Sequence, residues 1–412
     1  MIELFGAVLK VLHINSFDKK GGAETVFQIS KNFPGIDNYS GYVETSRISK
    51  KPDISFHSWE SYNKFIGILN YIFSLKNYNA LRSFLKTTDV DVIHLHGFFS
   101  SISPSILLAI KKAKQKKKIK VVQTLHDFHL ICPNASLYNY NKNVICEKCI
   151  GNGIKLSILF ENCDRRGWAF SIIKGLRSFV ANNILHHKNI IDTFICPSEF
   201  LKSKLIEDGI GESRITVIRN PISFTNDFVI PPKKNIICYF GRFSKEKNLE
   251  FLINTFNSWK LKFPNDFKLF LIGEGEEEST LKSLASECST KNDIYFISFL
   301  PYDKLVTAIQ DVKYLAMTSM CYENAPMSVI EGMSLNIIPI VPSIGGMKES
   351  VETLLQFGKT YLPNNIDSWI DSICYLEENY NEQIKKLVKS KINILEEAGI
   401  ESYFRKVFKI YQ

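Results

Sequence analysis

The sequence predicts an α/β protein composed of two doubly wound domains, each built on a parallel sheet. Apolar runs of four to seven residues alternate with stretches of helical periodicity, which is typical of parallel strands covered on both faces. The alternation stops at a Pro-Pro pair at residues 231–232 and then starts again, so this pair indicates a linker. A chain of 412 residues is long enough for each domain to bury its own core.

The predicted first domain spans residues 1–222 and is followed by a linker at 223–234. Its strands are predicted, in order, at VLKVLHI, VDVIHLHG, IKVVQTLHD, TFICPS and RITVIRNP, with helices at TVFQISKNF and SPSILLAIKKAKQ. The predicted second domain spans residues 235–397, and its strands are predicted at IICYFGRF, KLFLIGEG, DIYFISFLP, KYLAMTSM and IIPIVPS. A closing helix at 398–412 is expected to pack back on the first domain. Because ligands of such sheets bind beyond the carboxyl ends of the strands, we expect the site in a cleft between the domains.

Composition and targeting signals indicate a globular protein of the cytoplasm. Hydrophobic residues make up 45% of the chain and charged residues 23%, which is ordinary for a globular protein. The first residues lack the basic region and the small-residue cleavage site of a signal peptide. The longest stretch without a charged residue, Val92 to Ile110, contains two histidines, a glycine and a proline, so it predicts strand and helix rather than a membrane span.

The net charge of +9 is concentrated in the first half of the chain. Residues 1–222 contain 30 Lys and Arg against 18 Asp and Glu, a net charge of +12, whereas the remainder carries −3. Seven lysines lie in the stretch KKAKQKKKIK at 111–120. Such a run is either a solvated helix end or a basic face for an anionic membrane. No motif for nucleic-acid binding is present, so nucleic acid is not an expected partner.

Several motifs together resemble the retaining glycosyltransferases of family 4, which have the GT-B fold. The second half contains GRFSKEKN, LIGEGEEESTLKSLA and ENAPMSVIEGMSLNIIPIVPSIGG, whose two glutamates are separated by seven residues. The first half contains GGAE, TLHD and ITVIRNPI, and the chain closes with YFRKVFKIY. The resemblance spans most of the chain. Its most specific part is the glutamate pair combined with the Arg and Lys of GRFSKEKN.

The resemblance implies a nucleotide-sugar donor in the second domain and a glycan or lipid-linked acceptor in the first. Arg242 and Lys247 would bind the donor diphosphate, where cations stabilise the charge that develops on the leaving group. Glu323 would contact the donor sugar and Glu331 the ribose hydroxyls, while His126 would lie near the reacting centre. The catalytic candidates are therefore His126, Glu323, Arg242 and Lys247. The further substrate-binding candidates are Gly21, Gly22, Asp127, Gly241, Gly273, Gly275, Asn324, Ala325, Pro326, Met327, Ser328 and Glu331.

Three positions depart from the family pattern. Asn248 and Asn336 stand where the family usually has glycine. Both places are expected to need a left-handed backbone, and asparagine is the next-best residue for that conformation. The segment SFLPYDKL lacks the glycine that usually follows the family's Phe-Leu pair. This departure affects the expected binding of the nucleotide base.

Four of the nine cysteines form a spaced cluster. Cys132, Cys146, Cys149 and Cys163 follow the pattern C-x13-C-x2-C-x13-C, and the inner pair has the spacing of a zinc knuckle. In a reducing compartment such a cluster indicates a structural zinc ion rather than disulfides, but a metal-free cluster of thiols is an equal alternative. The segment follows His126, so it is expected to form a lid on the acceptor side. Catalysis itself is expected to need no metal, because the cations come from side chains.

The sequence thus favours a cytoplasmic glycosyltransferase that acts with retention in surface-polysaccharide assembly at the inner membrane face. An epimerase of nucleotide sugars with the same fold would need no acceptor. A metal hydrolase would need a shared ligand pattern among the histidines and cysteines, which the spacing does not provide. A non-catalytic binding module is the remaining alternative, and the intact Glu323, Arg242 and Lys247 argue against it.

Overall fold

The computed structural model describes residues 8–19, 21–44, 51–151, 153–222 and 232–412. They divide into two compact units, the first within residues 1–142, 146–221 and 400–412 and the second within 143–145 and 222–399. Each unit contains a parallel sheet with helices between its strands, which confirms the predicted α/β class. Most of the predicted linker, residues 223–231, lies outside the described residues.

The first half of the chain contains nine strands and eight α-helices within the described ranges. The strands are β1 (Lys10–Ile14), β2 (Asp37–Val43), β3 (Ile54–Phe56), β4 (Val92–Leu95), β5 (Lys120–Thr124), β6 (Tyr138–Asn139), β7 (Val144–Ile145), β8 (Thr193–Cys196) and β9 (Ile215–Val217). The helices are α1 (Gly22–Lys31), α2 (Lys64–Ile72), α3 (Leu75–Thr87), α4 (Ser105–Lys114), α5 (Ser157–Glu161), α6 (Trp168–Phe179), α7 (His187–Ile190) and α8 (Glu199–Glu207).

Seven of these strands form the parallel sheet of the first unit in the order β3-β2-β1-β4-β5-β8-β9. The strand order reverses between β1 and β4, where His13 lies opposite His94. A reversal point of this kind leaves a crevice beyond the carboxyl ends of the two strands, which is the usual ligand position in open α/β sheets.

The second unit contains a six-stranded parallel sheet in the order β12-β11-β10-β13-β14-β15. Its strands are β10 (Lys234–Phe240), β11 (Lys268–Ile272), β12 (Ile294–Ile297), β13 (Val312–Ala316), β14 (Ile338–Pro342) and β15 (Lys359–Tyr361). Its helices are α9 (Leu249–Lys262), α10 (Glu278–Glu287), α11 (Tyr302–Ile309), α12 (Met327–Ser334), α13 (Gly345–Glu349), α14 (Ile366–Glu378) and α15 (Tyr380–Ala398). The order reverses between β10 and β13, so the loops that follow these two strands flank the expected ligand position.

The last helix, α16 (Ile400–Tyr411), belongs to the first unit. It packs on the sheet through Tyr403, Val407 and Tyr411, all of which are buried. Two hydrogen bonds fix its position: the Tyr403 hydroxyl lies 2.7 Å from Ser30 Oγ, and the Tyr411 hydroxyl lies 2.6 Å from His94 Nδ1. Across the described residues, no helix combines the length and apolar character needed to cross a membrane.

Candidate functional site

The centre of the candidate site in the second unit is an ion pair between Lys247 and Glu323. Lys247 ends the short helical turn in the loop after β10, and Glu323 lies in the loop after β13. About a fifth of each side chain is exposed, 19% for Lys247 and 20% for Glu323. Ser319 Oγ donates a second hydrogen bond to Glu323 Oε1 at 3.0 Å. This ion pair therefore connects the loop after β10 to the loop after β13, on the two sides of the reversal point.

The two partners hold each other in their charged forms. Burial raises the pKa of the Glu323 carboxyl, but the Lys247 ammonium, the Ser319 hydroxyl and Arg242 outweigh burial and lower it below its ordinary value. Burial likewise disfavours the Lys247 ammonium, and the Glu323 carboxylate outweighs it and raises the pKa of Lys247 above its ordinary value. At neutral pH, Lys247 is therefore positively charged and Glu323 negatively charged, although both side chains are largely buried.

Arg242 provides a second cation whose guanidinium is open to solvent. Its side chain is 57% exposed, and Nη2 donates to Glu246 Oε1 at 2.9 Å. Glu246 is buried, and its backbone oxygen accepts a hydrogen bond from the Met320 N–H at 2.8 Å. Because only Nη2 is engaged in that ion pair, the guanidinium retains donors that can bind an anion in a bidentate manner.

Glycines allow the loops around this site to approach closely. A Cβ atom on Gly273 would lie 1.9 Å from the backbone oxygen of Gly241, and one on Gly275 would lie 2.1 Å from that of Phe243. On the other side, a Cβ atom on Gly346 would lie 1.7 Å from the backbone oxygen of Asn324. A side chain is sterically excluded at these positions. The predicted glycines after β11 therefore allow the backbone of their loop to contact the backbone of the loop after β10.

Both asparagines at the family's glycine positions have the left-handed backbone that the sequence predicts. Asn248 has φ 54° and Asn336 has φ 61°. Asn248 connects the turn that ends at Lys247 to α9, and its Nδ2 donates to Asn364 Oδ1 at 2.7 Å. Asn336 follows the end of α12. The substitution of asparagine for glycine therefore preserves the backbone conformation at both places.

Glu331 lies on α12, eight residues after Glu323. In the ranges that the structure describes, its carboxylate makes neither a hydrogen bond nor an ion pair, and burial raises its pKa. Burial, and after it the charge of Glu331, raises the pKa of the hydroxyl of Tyr302, at the start of α11. The predicted binding segment forms the approach to α12 and its first turn, and consists of Asn324, Ala325, Pro326, Met327 and Ser328. A carboxylate without a protein partner is available for ligand hydroxyls.

In the first unit, His126 and Asp127 follow β5 and line a pocket together with His96, Phe99 and His129. His126 Nε2 lies 3.2 Å from His96 Nδ1, and burial lowers the pKa of His126 to about 4, so its imidazole is neutral at pH 7. The Asp127 carboxylate accepts from His129 Nδ1 at 2.6 Å. This pocket can bind hydroxyl groups through neutral imidazoles and a carboxylate.

The predicted glycines Gly21 and Gly22 mark the beginning of α1. Gly21 has an extended backbone, and among the described residues a Cβ atom there would meet Glu24 Oε2 alone, at 3.6 Å. The loops after β1 and β4 are joined by Asn15, whose Oδ1 accepts from the Gly97 N–H at 2.8 Å. In this structure, neither backbone conformation nor contact requires glycine at position 21.

Sequence reasoning predicted His126 but missed the histidine cluster to which it belongs, which we define as His13, His94, His96 and His126. His94 and His96 are two residues apart on or just after β4, so their side chains lie on the same face of the sheet. His13 on β1 lies beside them, with its ring centroid 5.6 Å from that of His94. The signal that could have found the cluster is the His-x-His spacing in VDVIHLHG together with a histidine in the first strand.

Comparison with known proteins places this architecture among the GT-B glycosyltransferases. The structure is similar to the lipopolysaccharide outer core galactosyltransferase WaaB in its apo form, with a TM-score of 0.65 and 18% identity over 98% of this chain and 99% of that chain. It is also similar to Anabaena HepE in complex with UDP, with a TM-score of 0.68 and 15% identity over the same shares. The fold is therefore GT-B, as the sequence predicts.

The sequence matches two family models, one for each half of the chain. Residues 223–393 match "Glycosyl transferases group 1", and residues 60–225 match "Glycosyltransferase Family 4". The chain is 24% identical over 188 residues to the lipopolysaccharide 1,6-galactosyltransferase of Salmonella typhimurium, which covers 43% of this chain and half of that enzyme. It is 23% identical to the O-antigen biosynthesis glycosyltransferase WclY of Escherichia coli over 74% of both chains. The chain thus carries glycosyltransferase domains of the group 1 and family 4 types.

Proposed function

We propose that this chain is a retaining glycosyltransferase that moves a sugar from a nucleotide-sugar donor to a glycan or lipid-linked acceptor. The observation that carries the proposal is the Lys247–Glu323 pair with Arg242, at the strand-order reversal of the second sheet. The two relatives matched by sequence give the setting, because both are named for lipopolysaccharide or O-antigen synthesis. Surface-polysaccharide assembly is therefore the pathway that we propose.

In this proposal, the cations stabilise the leaving diphosphate. As the bond from the sugar to the diphosphate breaks, negative charge grows on the phosphate oxygens. Arg242 and Lys247 then interact more strongly with the transition state than with the intact donor, which lowers the barrier. The N–H groups at the start of α12 supply further donors for the same charge. Because side chains provide the positive charge, we expect transfer to proceed in the presence of EDTA.

The carboxylates are proposed to position the donor. Glu323 accepts from Lys247 and Ser319 through Oε1, which leaves its second oxygen for a sugar hydroxyl. Glu331 has no partner among the described residues, and a carboxylate accepts both hydroxyls of a ribose diol well. His126 and Asp127 of the first unit would bind hydroxyls of the sugars that take part in transfer.

Contact with an anionic membrane is part of the proposal, and two surfaces of the first unit are candidates. In the lysine stretch at 111–120, Lys114 pairs with Asp192 at 2.7 Å and Lys117 pairs with Asp89 at 2.5 Å. These pairs weaken the basic face. Among the described residues of the stretch, the exposed lysines without an ion pair are Lys116, Lys118 and Lys112, and Lys112 donates to the Tyr78 hydroxyl at 3.0 Å. A charged helix end of this kind attracts anionic lipid only through long-range electrostatics.

The second membrane-facing candidate is apolar. On α2, Phe65 is 73% exposed and Leu69 is 53% exposed, and on α6 Trp168 and Leu176 are exposed as well. Helices α2 and α6 pack against each other, so these side chains lie on neighbouring elements. Apolar side chains on such helices insert into the lipid interface, and their contribution does not fade with salt. Salt dependence therefore distinguishes the two surfaces.

The test of the proposed function begins with donor binding. A panel of nucleotide sugars is screened by thermal shift, and the donor that raises the melting temperature is used for transfer to glycan and lipid-linked acceptors. Proton NMR of the first product compares its anomeric configuration with that of the donor. Retention supports the proposal, whereas an inverted product refutes it. Conversion of the donor into an isomer without an acceptor would instead show an epimerase.

Variants link the activity to the site. Arg242→Ala is expected to lower kcat/KM by about 10²–10³-fold, which is the scale for loss of one preorganised donor. Lys389→Ala removes an exposed lysine on α15 and serves as the matched control. Equal activity of the two variants would exclude Arg242 from the diphosphate site.

A further inference from the structure

The four clustered cysteines of the first unit surround one small cavity. Cys132, Cys146, Cys149 and Cys163 all line it, and its volume is about 10 Å³, which is roughly the space of one water molecule. Three of the side chains are buried, Cys146 is half-buried, and all four are free thiols. Cysteines up to 31 positions apart in the chain thus line the same cavity. Buried cysteines that serve only as small apolar groups have no need to cluster in this way.

Hydrogen bonds hold the segments that carry these cysteines together. The Cys146 N–H donates to the Leu137 oxygen at 2.8 Å, and the Tyr140 N–H donates to the Cys163 oxygen at 3.1 Å. Asn134 Nδ2 donates to the same Cys163 oxygen at 2.9 Å. The backbone around the cavity is therefore fixed without any covalent link between the thiols.

We propose that Cys132, Cys146, Cys149 and Cys163 bind a structural zinc ion. Four thiolates in a closed site are the typical ligands of structural zinc, and the C-x2-C pair supplies the knuckle spacing.

Metal binding requires the thiols to close in on the cavity. Among the described residues, the one set with three ligand atoms within 4.8 Å of each other is His13, His94 and His96. No three of the four sulfurs therefore lie within 4.8 Å of one another, whereas Zn–S bonds of about 2.3 Å place the sulfurs roughly 3.8 Å apart, so rotation about χ1 has to bring them inward. The histidine set is the weaker metal site, because both ring nitrogens of His94 already bond to Tyr411 and Thr124.

Zinc would act as a cross-link for a long segment. Between β5 and α6, the described residues form two short strands and one short helix, and the four cysteines are distributed along this segment. The unfolded chain lacks the assembled site, so zinc binds the folded chain and its binding free energy adds to folding stability. The site stabilises the loop that follows His126 and takes no part in transfer.

The test is the metal content of the full chain, purified without chelator. Elemental analysis is expected to give about one zinc per chain, and about one in Cys288→Ser, whose cysteine lies outside the cluster. In Cys146→Ser the zinc content is expected to fall several-fold, together with the melting temperature. Wild type that is folded and free of zinc, or that contains iron instead, would overturn the proposal.

A second measurement remains decisive if Cys146→Ser does not fold. Wild-type protein is stripped of metal and titrated with Co²⁺ alone. The intense visible bands of tetrahedral cobalt and the near-ultraviolet bands of thiolate-to-cobalt charge transfer support the site. Their absence refutes it, as does a thiol titration of denatured protein that finds these cysteines paired in disulfides.

Discussion

Separate removal of Lys247 and Glu323 tests whether their pair is structural, functional or both. In Lys247→Met the Glu323 carboxylate stays in place without its partner. Breaking a buried pair in this way costs about 3–5 kcal/mol, because an uncompensated charge remains. About a fifth of each side chain is exposed, so water offsets part of the loss and we expect a value near the lower limit, about 3 kcal/mol. For a unit of this size that is a decrease in Tm of about 6–12 °C.

The double variant Lys247→Met/Glu323→Gln separates the two roles. It leaves no unpaired charge, so much of the lost stability is expected to return, with a coupling energy of about 2 kcal/mol. Glu323→Gln completes the cycle, and urea unfolding supplies the free energies. Transfer activity is expected to stay low in the double variant, because neither the cation for the diphosphate nor the carboxylate for the sugar is restored.

The pH dependence of this stabilisation follows from the signs of the two pKa shifts. Glu323 has a lowered pKa in the folded state, so its contribution is present above the ordinary carboxyl pKa and is lost as pH falls through the lowered value. Lys247 has a raised pKa, so its contribution is lost only as pH rises through a value above the ordinary lysine range. The stability difference between wild type and the double variant should therefore be constant from pH 6 to 9. A double variant that regains wild-type kcat/KM would refute the catalytic assignment.

Four further predictions follow from the structure. Gly346→Ala should lower stability by about 1–3 kcal/mol and slow transfer, because the new Cβ would lie 1.7 Å from the Asn324 carbonyl oxygen. The control Gly211→Ala should change neither stability nor transfer, because no described atom beyond its chain neighbours lies within 4 Å of its Cβ. Glu331→Gln should raise KM for the donor more than it lowers kcat, because the role proposed for it is to bind ribose. In the folded chain the pKa of His13 is about 3 and that of His126 about 4, so below pH 6.5 the unfolded chain binds protons that the folded chain does not. Stability measured by circular dichroism should therefore fall between pH 6.5 and 4. Replacing Lys116 and Lys118 by Gln should reduce flotation with anionic vesicles at low salt; unchanged flotation would favour the apolar surface of α2 and α6.

The strands with a clear apolar run could be predicted from the sequence, but the short or largely polar strands could not. All ten predicted strands are present, because each is apolar enough to stand out between helical stretches. The strands that were missed are β2, β3, β15 and the two-residue strands β6 and β7. β2 has the sequence DNYSGYV, and only its last three residues are buried, while β3 and β15 are three-residue strands at sheet edges. A short edge strand needs few apolar residues, so its composition resembles that of a loop.

The charged residues of the site could be predicted because they follow strands at the reversal point. Their partners could not, since the contacts depend on how loops fold. The bonds of Ser319 to Glu323 and of Glu246 to Arg242 connect residues only four apart, yet neither spacing in a loop predicts contact. His96 lies 30 residues from His126, and only strand pairing brings the two imidazoles together.

The structure also explains why some glycines of the family pattern are replaceable in this chain and others are not. At Asn248 and Asn336 the requirement is a left-handed backbone, which asparagine meets at a modest energetic cost. The Asn248 side chain moreover donates to Asn364, a hydrogen bond that glycine lacks. At Gly273 and Gly346 the obstacle is a backbone oxygen less than 2 Å from any Cβ, which no side chain can avoid. Departures from a glycine pattern therefore preserve the site where φ is the constraint, whereas a departure at a position of close approach would displace the loops that hold Arg242 and Glu323.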